Sequence, residues 1–370
     1  MRGMSFFIIF ITAVTAVFLP FTAIEAHASP SVSAYAAAVI EAESGRVIYS
    51  KNGDKRLPMA STTKIMTAAT VIMLERDTER KITVSESAAS VEGSKMGVAA
   101  GEEITLKSLL YGLMLSSGND AATAIYEAFC GEALVDIMNI IAKEHLELKN
   151  TNFINTHGLP AKEHYSSACD MAAIMRFALN FGDFCKITST KEESVSSGER
   201  RLYLKNHNRL LSEYEWCDGG KTGYTEAAGR CLVTTAEKNG VRLICVTLNA
   251  PDDWQDHTRL YEWAFSGLLG KTVSFEKGSF SVSVTGGEKR SVKASSDRLI
   301  LPVFEWESIE TRVDIPSFLY APVNAGDCIG KIDYYSGDTL VASMPIYAEE
   351  TVKREKEKGR LLEAFLNILL

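Results

Sequence analysis

An unbroken apolar run from Phe6 to Leu19 follows Arg2 and passes into the small-residue stretch Ala26-His27-Ala28. A basic start, an apolar middle and small residues at the end predict a secretory leader over residues 1–28, cut after Ala28. The run falls short of the roughly 20 apolar residues of a comfortable membrane span. An uncleaved anchor helix is the other reading of it. Both place the body of the protein outside the cytoplasm.

Beyond the leader the hydrophobic period changes. Tyr35 to Glu41 and Arg46 to Ser50 read as two strands around a turn at Ser44-Gly45. Ser61 to about Glu75 is rich in Ala, Met, Ile and Thr with few charges, and a helix apolar on all sides is a buried one. Helical patterns recur over Leu106 to Met114, Asp120 to Phe129, Leu134 to Leu146 and Ser167 to Leu179. Strand character returns at Cys231 to Ala236 and Arg242 to Leu248, with Asn239-Gly240 as a hairpin signal between them. A helix from Trp254 to Leu268 closes the segment. Strands at both ends with helices between predict an α+β fold over residues 29–268, an antiparallel sheet flanked by helices.

From Lys271 the texture is that of short alternating runs, with a turn at Gly286-Gly287. This predicts a small all-β C-terminal domain over residues 269–350, with Gly267 and Gly270 at the junction. Residues 351–370 begin with Lys353-Arg354-Glu355-Lys356-Glu357-Lys358 and end in Leu361, Leu362, Phe365, Leu366, Ile368, Leu369 and Leu370. Such an amphipathic helix either lies in a membrane surface or docks on the β domain.

Charge then narrows the partners. The formal net charge is -8, and loss of Arg2 and Glu25 with the leader leaves it unchanged. An acidic exported chain makes no nucleic-acid binder. The seven cysteines are widely spread without a Cys-x-x-Cys pair. They signal neither a disulfide framework nor a zinc site, and read mainly as small buried apolar residues. An oxidising compartment leaves one or two disulfides open.

Chemistry enters at Ser61-Thr62-Thr63-Lys64. On a helix this spacing sets a hydroxyl and an amine on one face, a turn apart. A serine needs an adjacent base to become nucleophilic, and a desolvated lysine can be that base. The same Ser-x-x-Lys spacing occurs at Ser274-Phe275-Glu276-Lys277, but there the alternating β pattern predicts a solvated strand. Ser61 has company: Ser117-Gly118-Asn119 at a junction of two helical patterns, and Lys221-Thr222-Gly223 after the Asp218-Gly219-Gly220 turn.

In this order the three motifs resemble those of the penicillin-recognising serine enzymes. More closely, the chain resembles the low-molecular-mass penicillin-binding proteins, the serine D-alanyl-D-alanine carboxypeptidases of peptidase family S11. Supporting stretches include Ser116 to Ala122, Thr156-His157-Gly158-Leu159, His164 to Ala168 and Asp218 to Thr225. The resemblance implies that Ser61 attacks the carbonyl of the penultimate D-alanine and that Lys64 takes its proton. It implies a relay through Ser117 to the leaving D-alanine, with Asn119 orienting Lys64 and the substrate backbone. Lys221 and Thr222 would hold the terminal carboxylate, Gly223 would let the substrate lie along the strand, and the N–H groups of Ser61 and Tyr224 would form the oxyanion hole. Peptidoglycan peptide stems and β-lactam antibiotics are the implied partners, on the outer face of the membrane or in the cell-wall space. No metal or organic cofactor is called for, since serine and lysine carry the proton transfers.

Two departures qualify the resemblance. Some members place a carboxylate-binding arginine after the second hairpin strand, where this chain reads Pro251-Asp252-Asp253-Trp254-Gln255-Asp256-His257. His157 stands in a turn near the expected site, where a histidine is ordinarily a hydrogen-bonded structural group. Alternative functions for the same motifs are a β-lactamase, a DD-endopeptidase, or a non-catalytic β-lactam- or wall-binding protein. A class A β-lactamase needs a deacylating glutamate, which no segment here supplies convincingly.

Overall fold

The computed structural model describes residues 29–268, 271–305 and 307–355. The leader, and residues 356–370 of the C-terminal segment, lie outside the described residues. In chain order the first domain runs β1 (Ala36–Glu41), β2 (Val47–Lys51), a 3-10 turn (Ala60–Thr63), α1 (Lys64–Leu74), β3 (Lys81–Thr83), α2 (Glu86–Ser90), β4 (Glu103–Thr105), α3 (Leu106–Met114) and α4 (Asn119–Ala128). It continues with α5 (Glu132–Ile140), α6 (Ala168–Ala178), α7 (Gly182–Ser189), β5 (Glu192–Ser197), β6 (Arg200–Lys205), α8 (Leu210–Glu213), β7 (Cys217–Thr225), β8 (Gly229–Lys238), β9 (Val241–Leu248) and α9 (Asp253–Leu268).

The main sheet is antiparallel in the order β2-β1-β9-β8-β7. Both its faces are covered, which is why its central strands are apolar almost throughout. In β1, Ala36, Ala38 and Ile40 enter the core shared with α1, α3, α4 and α6, while Ala37 and Val39 enter the one shared with α9. The expected α+β architecture, with helices on both faces of one sheet, is what forms.

Three local expectations change. Ser61 sits in the 3-10 turn, and the α-helix itself begins at Lys64. The helix expected to reach Leu146 leaves α geometry at Ile140 and ends in a π turn, Ile141–His145. Three of the seven cysteines, Cys217, Cys231 and Cys245, are buried; Cys130 and Cys328 are exposed, and all seven are free thiols. The β5–β6 hairpin and α7 are elements that the sequence pattern does not predict.

The C-terminal part forms a six-stranded sheet and a two-stranded ladder around its own core of Val282, Val292, Leu301, Ile332 and Ile346. Ser274 lies here, on the strand Lys271–Phe275, its hydroxyl accepting from Arg298. The chain is still β-bridged at Val352 and Arg354. A helix beginning at residue 351 is thereby corrected, since Val323 and Gly287 hold those residues extended.

Candidate active site

β7 is the edge strand of the main sheet, and its free edge packs against the 3-10 turn that carries Ser61. Two glycines make that approach feasible. A Cβ on Gly223 would stand 3.0 Å from Ser61 N and 3.1 Å from Met59 O. A Cβ on Gly158, at φ +88°, would fall 1.9 Å from Ala60 O. Larger residues at either position would drive the turn from the strand or the loop.

Within this frame Lys64 is fully buried, and its Nζ donates to Asn119 Oδ1 at 2.8 Å and His157 O at 2.7 Å and stands 2.8 Å from Ser61 Oγ. Burial, and then the nearby charge of Lys221, hold its pKa well below the ordinary lysine value; the Asp120 carboxylate pulls the other way. Desolvation disfavours the ammonium form, so the amine is prepared to act as a base. Asn119 is itself pinned: its Nδ2 donates to Glu92 O at 2.7 Å and its N–H to Ser94 O at 2.7 Å.

Ser117 is buried and left-handed, at φ 56°. Among the described residues nothing hydrogen-bonds its hydroxyl. Lys221 is buried as deeply as Lys64, donates to Thr222 O at 2.9 Å, and burial lowers its pKa to about 7. Thr222 is half-buried on β7, and the Tyr224 side chain is 66% exposed. Thus Ser61, Lys64 and Asn119 are in direct contact, Lys221 acts on Lys64 through its charge, and Ser117 stands ready without a protein partner.

The supporting groups lie in stretches that the sequence singled out, but their contacts were not legible there. Asp120 is fully buried and takes N–H bonds from Met96 at 2.9 Å and Gly97 at 2.8 Å, fixing the loop that holds Asn119. His164 Nδ1 accepts from Ile154 N at 2.9 Å while its Nε2 bonds Thr63 Oγ1 at 2.9 Å; burial pushes its pKa down to about 4. His157 contributes its carbonyl to Lys64, whereas its ring accepts from Leu159 N at 3.1 Å. Burial and the Lys64 charge lower that ring's pKa to about 4 as well. A neutral, turn-bonded ring of this kind is structural.

The segment searched for an arginine is occupied otherwise. Asp253 takes the Arg230 guanidinium at 2.8 Å, Asp256 accepts from Ser33 N and Ala34 N, and His257 bridges Thr234 and Thr247. Its acids and histidine hold α9 to the sheet and to the segment just before β1. Among the described residues no group of histidines, cysteines and carboxylates could hold a metal ion.

Ser61 on its 3-10 turn, the desolvated Lys64 and the Lys221-Thr222-Gly223 edge strand all lie within a segment that a family model matches. Residues 23–252 fit the model of the D-alanyl-D-alanine carboxypeptidases of peptidase family S11. The chain belongs to that family. Residues 271–354 match the C-terminal domain of penicillin-binding protein 5. The D-alanyl-D-alanine carboxypeptidase DacF of Bacillus subtilis is 33% identical over 341 residues, covering 87% of this chain and 86% of that protein. DacC of Escherichia coli is 29% identical, over 92% of this chain and 90% of that one. Among solved structures, penicillin-binding protein 5 of Haemophilus influenzae superposes with a TM-score of 0.71 at 28% identity, over 88% of this chain and 99% of that one. The Streptomyces K15 DD-transpeptidase covers 64% of this chain and 99% of its own, with a TM-score of 0.62 at 30% identity.

Proposed function

We propose that this member of the family removes the terminal D-alanine from peptidoglycan stem peptides through an acyl-enzyme on Ser61, and that β-lactams acylate the same atom. The observation that carries the reading is the contact of Lys64 Nζ with Ser61 Oγ, 2.8 Å apart, by an amine whose burial favours the neutral form.

In the reaction, Ser61 Oγ bonds to the carbonyl carbon of the penultimate D-alanine as its proton passes to Lys64. The N–H groups of Ser61 and Tyr224 take the oxyanion, in keeping with the close approach of Gly223 to Ser61 N. The C–N bond then breaks, and a proton relayed through Ser117 neutralises the departing amine of D-alanine. Asn119 holds Lys64 in line. Water attacks the resulting ester, giving a proton to Lys64, and the acid leaves as Ser61 Oγ is reprotonated. Mass spectrometry after penicillin treatment should find the adduct on the peptide containing Ser61; an adduct elsewhere would remove the proposal's centre.

Lys221 and Thr222 are assigned to the terminal carboxylate. An anion binding beside Lys221 favours its charged form, present below a pKa of about 7 and lost as pH rises through it. KM for an acid-terminated peptide should therefore climb above pH 7, by up to about tenfold per pH unit. Lys221→Arg, charged throughout, should flatten that limb. An unchanged limb in the variant would assign it to another group.

Residues 29–268 are proposed as the catalytic domain and 269–350 as the β domain, with export directed by residues 1–28. The C-terminal segment is proposed to lie on the membrane. Deleting residues 356–370, which spares the bridges at Val352 and Arg354, should move the protein from the membrane to the soluble fraction. Unchanged fractionation would refute the attachment.

A further inference from the structure

A titratable side chain that the reaction above leaves unused stands near Lys221. His207 lies between β6 and α8. Its N–H donates to Leu115 O at 3.2 Å, two residues before Ser117. Its neighbours fix it from both sides: Asn206 Nδ2 donates to Thr190 O at 2.9 Å, and Asn208 Nδ2 donates to Gly219 O at 3.1 Å, two residues before Lys221. The histidine is thus stapled across the gap between the Ser117 turn and the Lys221 strand.

His207 is exposed; the partial desolvation of its ring, and then the nearby charge of Lys221, lower its pKa. Among the described residues, no group hydrogen-bonds the ring. An imidazole with two ring nitrogens free, next to a lysine assigned to a carboxylate, is an unused anion contact. The guanidinium on the neighbouring strand is committed elsewhere, since Arg230 bonds Asp253 through both Nε and Nη2.

We propose that His207 is a specificity-determining residue whose ring N–H binds the terminal carboxylate of the peptide together with Lys221 and Thr222. This rests on the assignment of Ser61 and Lys221 above. The arriving anion favours the protonated forms of both His207 and Lys221, offsetting the mutual repulsion that depresses them in the empty cleft.

The test compares a tripeptide ending in D-Ala-D-Ala as the free acid with its C-terminal carboxamide, using the full exported chain. In the wild type kcat/KM should favour the acid. His207→Ala should reduce the acid-to-amide ratio roughly tenfold or more, the scale of a lost charge-assisted hydrogen bond. The change should lie in KM for the acid, with kcat and amide hydrolysis little altered, and His207→Arg should restore the ratio. A ratio unchanged in His207→Ala overturns the proposal. So does an equal loss on acid and amide, which marks a role in holding the loop. If the wild type hydrolyses neither peptide, it is the Ser61 reading that fails instead.

Discussion

A Ser61→Ala variant should lose D-alanine release from a pentapeptide by roughly 10^4-fold or more, and should take no penicillin adduct. The size follows from what the hydroxyl does: without Oγ there is no acyl-enzyme, and the remaining groups can only bind. The fold should survive, because among the described residues the Ser61 hydroxyl makes a single weak bond besides the one to Lys64, to His157 O at 3.4 Å. Circular dichroism and thermal melting close to those of the wild type are therefore expected alongside the lost activity. Release of D-alanine at a rate near wild type would show that another nucleophile operates, and would return the chain to a binding role or a different hydrolase.

Lys64→Met should slow acylation by roughly 10^2 to 10^4-fold, the range over which a positioned general base acts. Methionine keeps the length and apolar body of the side chain in a fully buried site, so the change removes the amine with little loss of packing. Asn119 Oδ1 and His157 O lose their donor and Ser61 Oγ its amine partner, and some stability goes with them. A small alkylamine added to the variant should recover part of the rate if its lone pair can reach Ser61. Wild-type acylation in Lys64→Met would exclude the lysine as base, and another group would have to take the serine proton.

These effects concern residues that the sequence already grouped, and the reason is local. Ser61 and Lys64 are three residues apart across the 3-10 turn that leads into α1, so their proximity follows from local backbone geometry. The all-β character of the C-terminal part was equally plain in its alternating runs. Legibility fell where stabilisation comes from distant partners. Asp120 reads as an acid in the first turn of a helix, yet its oxygens bind the N–H groups of Met96 and Gly97, more than twenty positions earlier. His164 looks like any loop histidine until Thr63 and Ile154 close on its two nitrogens. His207 sits in a polar stretch without a hydrophobic period, and only the pairing of Asn208 with Gly219 carries it to Lys221.

The same division applies to the ionisable groups. The period of apolar residues predicted the two-part architecture, and the order of the motifs, through the resemblance they carry, pointed to Ser61 as the nucleophile and to the class of reaction. The tertiary structure decided which lysines are desolvated, that the histidine ring at 157 serves a turn while its carbonyl serves Lys64, and that the residues 251–257 hold α9 in place of a carboxylate. Burial and charge proximity are sums over everything packed around a group, and side chains tens to hundreds of residues apart in the chain supply most of that surrounding.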